Sequence, residues 1–417
     1  VIFSTWVENR DKMNLLFITP YLPSETSGHA GAQLIFRNIK ILAPQHTIFL
    51  ATFVNSEEMV KIHNLEELGI TVIPVLYKRN RKGLGAIMKG IIQNFLPLMK
   101  SIIGLDIFFI AKYNRRKMKQ AIIKVSKKFQ PDLIQVEYNV MHHYASLFPK
   151  ITKVLSQHDI STKVYFRGSL NAETGRSRRR NGRLFKIAKR LESGWMKKFD
   201  QIVTVTEEDK QFCISNWENL PAIEVIPPQI HVNDFKVEKQ RKEICFIGSF
   251  NREPNLQALE ILLDEIIPYV KNYNPEIFLK IAGKYLPEKL IKKVDTTDGV
   301  NYFGFVQDID TFVASSALFV APIFIGAGLK MKLTHSLACG TPVLTTPIGA
   351  EGINIGPENG LWIEQTSGEL SEKCFELMKN EPELEQAGFR GKKEVNRLFS
   401  PQSVKEKFNR LYGTLIK

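Results

Sequence analysis

The residues of this chain best suited by type and spacing to chemistry follow a glycine loop: Gly326-Ala327-Gly328-Leu329-Lys330-Met331-Lys332. Glycines at such a point let the backbone approach a ligand closely. The apolar run Ala317–Ala321, stopped by Pro322, predicts a buried strand before the loop. Lys330–Cys339, apolar on one side and followed by Gly340, predicts a helix after it. Lys330 and Lys332 then stand in the first helical turn, where the helix dipole opposes them by about 0.3 kcal/mol or more unless an anion lies between. A diphosphate resolves that conflict. A second set ends two apolar runs in the first half of the chain: Glu137 closes Pro131–Glu137, and His158-Asp159 closes Lys153–Asp159. Side chains at the carboxyl ends of parallel strands are where such sheets build sites.

The elements that must position these groups read as repeated βαβ units. In the first half, Asn14–Pro20 is a strand, Tyr21–Gly31 a loop containing Gly28, His29 and Gly31, Ala32–Leu42 a helix and Thr47–Phe53 a strand. Glu57–Leu68 predicts a helix, and Thr71–Leu76 a strand that Pro74 assigns to a sheet edge. Asp200–Thr206 is a strand, and Glu207-Glu208-Asp209 opens a helix with the favourable dipole sign. Glu224–Pro228 ends that half, and the polar stretch Gln229–Lys242 predicts a linker. The second half opens with the strand Ile244–Phe250, which contains Gly248 and Ser249, and continues with the helix Leu256–Val270. The strands Phe278–Lys284 and Val300–Val306 follow, then a short helix Asp308–Ala314. After the glycine loop and its helix, Thr341–Thr346 is a strand, and Gly349-Ala350-Glu351-Gly352 a turn. Val1–Lys12, ahead of Met13, is set aside as an extension.

With 417 residues, 44% hydrophobic and 24% charged, the chain holds ample core for two domains. Cys213, Cys245, Cys339 and Cys374 are scattered without a CxxC pair, which argues for a reducing compartment and against a disulfide framework or structural zinc. No signal peptide or membrane-spanning run appears. The net charge of +14 favours an anionic partner. With no zinc-finger spacing, RNP motif or basic zipper, nucleic acid is not expected. Lys78–Lys119 mixes long apolar side chains with clustered Lys and Arg, and Arg176–Arg190 contains no acidic residue. The first predicts an interfacial segment on an anionic membrane, and the second contact with a phosphate-bearing acceptor or the membrane surface.

The run from Gly326 to Gly352, with Lys-x-Lys-Leu, Leu-Ala-Cys-Gly-Thr-Pro-Val-Leu and Gly-Ala-Glu-Gly in register, resembles the donor-binding signature of retaining GT-B glycosyltransferases, group 1 (family 4), of the bacterial polysaccharide type. Weaker likenesses are His158-Asp159, Val203–Glu207 and Glu224–Pro228, where Pro228 and Gln229 replace the usual Asn-Gly. The resemblance implies two Rossmann-like doubly wound domains facing a central cleft: an acceptor domain over residues 1–230 and a nucleotide-sugar domain over 231–400. Residues 401–417 would form a helix crossing back to the first domain. It further implies Gly28, Gly248, Ser249, Gly283, Phe305, Val306, Gly326, Ala327, Gly328, Lys330, His335 and Glu351 at the donor, with His158, Lys330 and Arg252 as catalytic groups. His29, Glu137, Asp159 and Arg179 would face the acceptor. The chain departs from the pattern where the family commonly has two glutamates seven residues apart: here stand Ala327 and His335. A neutral imidazole accepts one bond and donates one, so His335 can replace one carboxylate contact to ribose.

The activity implied is transfer of a sugar from a nucleoside diphosphate sugar, UDP before GDP, to a glycan or lipid-linked acceptor with retained configuration. No Asp-x-Asp motif lies in a suitable loop, so fixed cations, and neither metal nor cofactor, are expected to carry the leaving-group charge. The expected location is the cytoplasmic face of the cell membrane, as a peripheral protein. The alternatives are a non-catalytic GT-B subunit supporting a partner enzyme, favoured by the loss of the second Glu, and a sugar-nucleotide epimerase of the same fold.

Overall fold

A computed structural model describes residues 12–27, 29–77, 94–172, 174–232, 237, 240–326 and 328–416. The chain divides into two compact units, Val1–Gln229 with Val404–Lys417, and Ile230–Ser403.

The first unit is built on a seven-stranded sheet in the order β3-β2-β1-β4-β5-β6-β7, parallel at every pairing. The strands are β1 Asn14–Thr19, β2 Thr47–Val54, β3 Thr71–Leu76, β4 Leu133–Glu137, β5 Thr152–Gln157, β6 Gln201–Thr204 and β7 Ala222–Val225. Leu15, Leu16, Phe17 and Ile18 of β1 are fully buried, because helices, the first of them α1, Ala30–Leu42, cover both faces of the sheet. Pro74 stands on the edge strand β3, where a missing N–H costs no ladder bond on the open side. The last helix runs Pro401–Leu415, and its Val404, Phe408, Leu411 and Tyr412, spaced on one helical face, enter the core of the first unit.

The second unit has a six-stranded parallel sheet, β10-β9-β8-β11-β12-β13. Its strands are β8 Gln240–Ile247, β9 Phe278–Ala282, β10 Val300–Tyr302, β11 Ser316–Ala321, β12 Val343–Thr345 and β13 Leu361–Ile363. In each sheet the strand order reverses once about a central pair, β1/β4 in the first and β8/β11 in the second. Ligands of such folds bind outside the carboxyl ends of that pair.

Several expectations are corrected. Glu57–Leu68 is a 3-10 turn, Glu58–Lys61, and one helical turn, His63–Glu66. Its expected length fails because Leu65 and Ile62 alone are buried there, too little apolar surface to hold a longer helix. The strand expected over Val300–Val306 ends at Tyr302, because Gly304 adopts φ +65° and turns the chain. Strand β8 begins at Gln240, inside the stretch read as linker. The helix expected over Leu256–Val270 starts earlier, at Glu253, with Pro254 in its first turn, and passes through a π segment at Leu262–Ile266. Within Lys78–Lys119, residues 78–93 lie outside the described residues. Residues 107–119 are not a surface segment, since Ile107, Ile110, Tyr113 and Met118 are buried in the first core. The extension 1–12 lies, apart from Lys12, outside the described residues as well.

Candidate functional site

In the first unit, the loops leaving β1, β4 and β5 converge. Glu137 ends β4, and Tyr138 follows at φ +70°, a conformation costly for a tyrosine and found mostly where the surroundings enforce it. That turn lays the Tyr138 ring over His158, the residue after β5, with centroids 3.9 Å apart and planes within 10°. Tyr21 and His29, from the loop after β1, close the group: their rings are 4.2 Å apart, and Tyr21 meets Tyr138 edge-on at 5.9 Å. Gly31 permits this approach. A Cβ there would fall 1.4 Å from the Tyr138 hydroxyl. Behind the ring, His158 Nε2 lies 2.6 Å from Glu137 Oε2, and the Glu137 side chain is fully buried. Burial raises the Asp159 carboxyl above the usual range, with the His158 imidazole opposing the rise, although the residue still reaches solvent.

Beneath β5, Glu192 anchors the helix α2, Ser161–Leu170, from the long helix α3, Gly175–Met196. Its buried carboxylate accepts from the N–H groups of Ser161 and Thr162 at 2.8 Å, and from the side chains of Thr162, Gln157 and Asn139. A carboxylate at a helix N-terminus satisfies donors that would otherwise be orphaned. Arg179 is exposed on α3 and not among the groups gathered around His158. Gly28 lies outside the described residues.

In the second unit, the loops leaving β8 and β11 are joined by side chains. Gly248 packs against Asn255 of the helix α4, Glu253–Ile261. Asn255 Nδ2 donates to the Ser249 carbonyl at 2.8 Å, and its Oδ1 accepts from Lys332 Nζ at 2.7 Å. Lys332, in the first turn of the helix α5, Met331–Ala338, also donates to the Ile247 carbonyl and stands 4.2 Å over the Phe246 ring. Burial, with the Lys330 charge adding to it, pulls the Lys332 ammonium down to about 7. Lys330 Nζ donates to the Gly328 carbonyl at 2.7 Å and lies 3.5 Å from Glu351 Oε2. Glu351, on the turn after β12, accepts the Gly328 N–H at 3.1 Å. Gly326 at φ +123° and Gly328 at φ +73° require the absence of a side chain, and Ala327 between them lies outside the described residues.

Gly328, Lys330 and Glu351 are thus brought into one network, and Ser249, Asn255 and Lys332, with Gly248 packed on Asn255, into a second. Lys332, read in the sequence beside Lys330 as a cation facing an anion, is a buried tie to Asn255 and the Ile247 carbonyl. Gly283, at the end of β9, packs on the Gly248 carbonyl. Arg252 is exposed at the cap of α4, and Phe305 is exposed with Lys284 Nζ 4.0 Å over its ring, next to the half-buried Val306. His335 is turned to Asp310, whose carboxylate lies 2.8 Å from Nε2. The sequence reading gives this imidazole a contact to ribose; the neighbouring short helix Ile309–Ala314 supplies a carboxylate that engages one ring nitrogen. Among the described residues, one group has ligand atoms close enough to share a metal ion, Asp310, His335 and Cys339, all within 4.8 Å of one another.

The arrangement suits recognition of an anion by fixed cations and backbone N–H groups in the second unit, and contact with neutral, hydroxyl-bearing groups by histidine and tyrosine in the first.

Residues 241–380 match the family model described as Glycosyl transferases group 1. An uncharacterized 44.6 kDa protein in the cps region of Klebsiella pneumoniae is 23% identical over 270 residues, covering 62% of this chain and 67% of that protein. An uncharacterized glycosyltransferase of Haemophilus influenzae is 28% identical over 193 residues, 44% of this chain and 53% of that protein. Among solved structures, Anabaena HepE in complex with UDP aligns with TM-score 0.67 at 12% identity, over 97% of this chain and all of that one. The second unit thus carries a match to group 1 glycosyl transferases on a chain of GT-B fold, which supports a transferase enzyme.

Proposed function

We propose that the enzyme transfers a sugar from a nucleoside diphosphate sugar, UDP-linked in preference to GDP-linked, to a hydroxyl of a glycan or lipid-linked glycan, with retention and without a metal. The observation that carries this reading is the Lys330–Glu351–Gly328 network at the β8/β11 crossover, with Lys332 joining the loops after β8 and β11 through Asn255. The bond from the anomeric carbon to the diphosphate oxygen breaks as the acceptor oxygen bonds to that carbon, and the acceptor proton passes to the leaving phosphate. Lys330, Arg252 and the N–H groups that open α4 and α5 stabilise the charge that develops on the diphosphate. The UDP bound to HepE, a structural neighbour, supports uridine as the base. His158 and the tyrosines around it are assigned to the transferred sugar, and His29 and Asp159 to the acceptor side; Glu137, expected from the sequence to face the acceptor, is instead fully buried behind His158 with both oxygens engaged.

Calorimetric titration of UDP, GDP, ADP and their common sugar conjugates tests the reading. One nucleotide should bind, and Lys330→Ala should weaken it. If none binds at millimolar concentration, the donor site is not functional and the chain reads as a supporting subunit.

The acceptor is proposed to lie at an anionic membrane surface on the cytoplasmic side. No described helix is long and apolar enough to cross a membrane. Leu96, Ile102, Ile103 and Leu105 are exposed on the segment 94–106. Arg183 and Arg190 of α3 donate to backbone carbonyls of that segment, so part of the basic helix holds the apolar residues in place. Arg176, Arg178, Arg179 and Arg180 remain exposed on the same helix. Binding to vesicles containing phosphatidylglycerol, and none to phosphatidylcholine alone, is expected in a sedimentation assay. Binding to neither would remove the membrane from the proposal.

A further inference from the structure

A chain of buried hydrogen bonds runs from the last helix of the protein to His158. We propose that Glu137 is the positioning residue of His158, and that Gln135 and Tyr412 complete one device with it. The device holds the imidazole with its proton on Nε2 and its lone pair on Nδ1. The inference rests on the reading of His158 as part of the transfer site.

The polarity of the chain follows from its chemistry. A carboxylate only accepts. Glu137 Oε2 therefore takes the proton of His158 Nε2 at 2.6 Å, and Glu137 Oε1 takes a proton of Gln135 Nε2, also at 2.6 Å. An amide that turns its NH2 to Glu137 presents its carbonyl on the other side. There the Tyr412 hydroxyl donates to Gln135 Oε1. Every proton points toward Glu137. Gln135, Glu137 and Tyr412 are fully buried, so water does not compete for these bonds. Burial, and secondarily the Glu137 charge, raises the Tyr412 phenol well above its usual range, which keeps it a donor.

The ring is held on its face as well. Tyr138, in its strained turn, stacks on the imidazole and limits tilt. The titratable groups around His158 are Glu137 on β4, Tyr138 after it, Asp159 beside it and His29, whose charge is felt at Asp159. Of these, Glu137 is the one hydrogen-bonded to the ring. A neutral imidazole that donates at Nε2 has an acceptor at Nδ1 for a hydroxyl group. The last helix, Pro401–Leu415, thus supplies a residue to the network in addition to apolar packing.

The test reads the tautomer directly, by nitrogen NMR of the imidazoles in the full chain without ligand, with His158 assigned from its loss in His158→Ala. The wild-type protein should show the Nε2–H form; an Nδ1–H form would overturn the proposal without any variant. In Glu137→Gln, the new amide still has to accept from Gln135, so it must give its NH2 to His158. The tautomer should invert, and kcat should fall by at least about tenfold with a smaller change in the donor KM. In Glu137→Gln combined with Tyr412→Phe, Gln135 is released and both tautomers should appear. An unchanged Nε2–H signal in Glu137→Gln would overturn the coupling. If the tautomer inverts as expected but His158→Ala leaves transfer intact, the hydrogen-bonded device stands and the assignment of His158 to the transfer site falls.

Discussion

The two crossover sites of this protein are made in different ways. In the second unit, Gly328, Lys330 and Glu351 come from a short stretch of chain and meet through local turns. In the first, Tyr21, His29, Tyr138 and His158 arrive on three separate loops, and their support reaches across the sheet to Tyr412. A charge-binding site can be local because a few N–H groups and cations suffice for an anion. A site for neutral hydroxyl groups depends on the angle and tautomer of each ring, and these need support from several elements. The first site is therefore the one more exposed to distant change.

Glycine substitutions give the largest contrast. Gly283→Ala would place a Cβ 1.7 Å from the Gly248 carbonyl at φ +151°, backbone against backbone. A loss of about 4 kcal/mol or more is expected, read as collapse of the second unit in denaturant titration. Gly31→Ala meets the end of the Tyr138 side chain instead. About 1–3 kcal/mol is expected, together with displacement of the Tyr138–His158 stack seen as a shifted His158 signal. If both variants cost the same, the contrast between a local and an assembled site is wrong.

Function should separate similarly. Lys330→Ala should weaken nucleotide binding by about 100-fold, as expected for loss of a charge-assisted contact. His158→Ala should leave that binding within about threefold while lowering transfer at least about 100-fold. Calorimetry and a transfer assay distinguish the two, and equal loss of nucleotide affinity in both would merge the sites.

Lys332 carries an effect confined to a definite pH window. Its ammonium is depressed to about 7 in the fold, against 10.5 for an ordinary lysine. A lysine lowered in the folded state binds a proton more readily when unfolded, so stability rises with pH between those values. Denaturation midpoints of the wild type should climb from about pH 7 toward pH 10, and Lys332→Met should flatten that slope. An anion bound nearby should favour the charged ammonium, so nucleotide binding near neutral pH should take up protons, measured as a buffer-dependent enthalpy. The same heat in buffers of different ionisation enthalpy would exclude this.

Much of the second site is legible in the sequence alone. A glycine loop, two lysines and a helix start in sequence order determine their own neighbourhood, because the residues are close in the chain. Lys332 is legible as a cation but not as the buried tie to Asn255, 77 residues away. His335 reads as a contact to ribose, since nothing near it in sequence announces Asp310. In the first unit, His158 and Glu137 are visible as strand ends, whereas their 2.6 Å contact is not. Gly31, Tyr138 and Glu192 carry no local mark: one is a small residue at the start of a helix, one follows a strand, and one ends a basic run.

The parallel strands, the crossover helices and the cationic glycine loop all follow from local sequence, because apolar period, glycine placement and helix ends act over a few residues. Which side chains share a proton is instead settled by packing. Strand order brings β4 beside β1 and β5, and the return of the last helix brings Tyr412 to Gln135. Those pairings join residues up to 277 apart in the chain, and no local pattern encodes them.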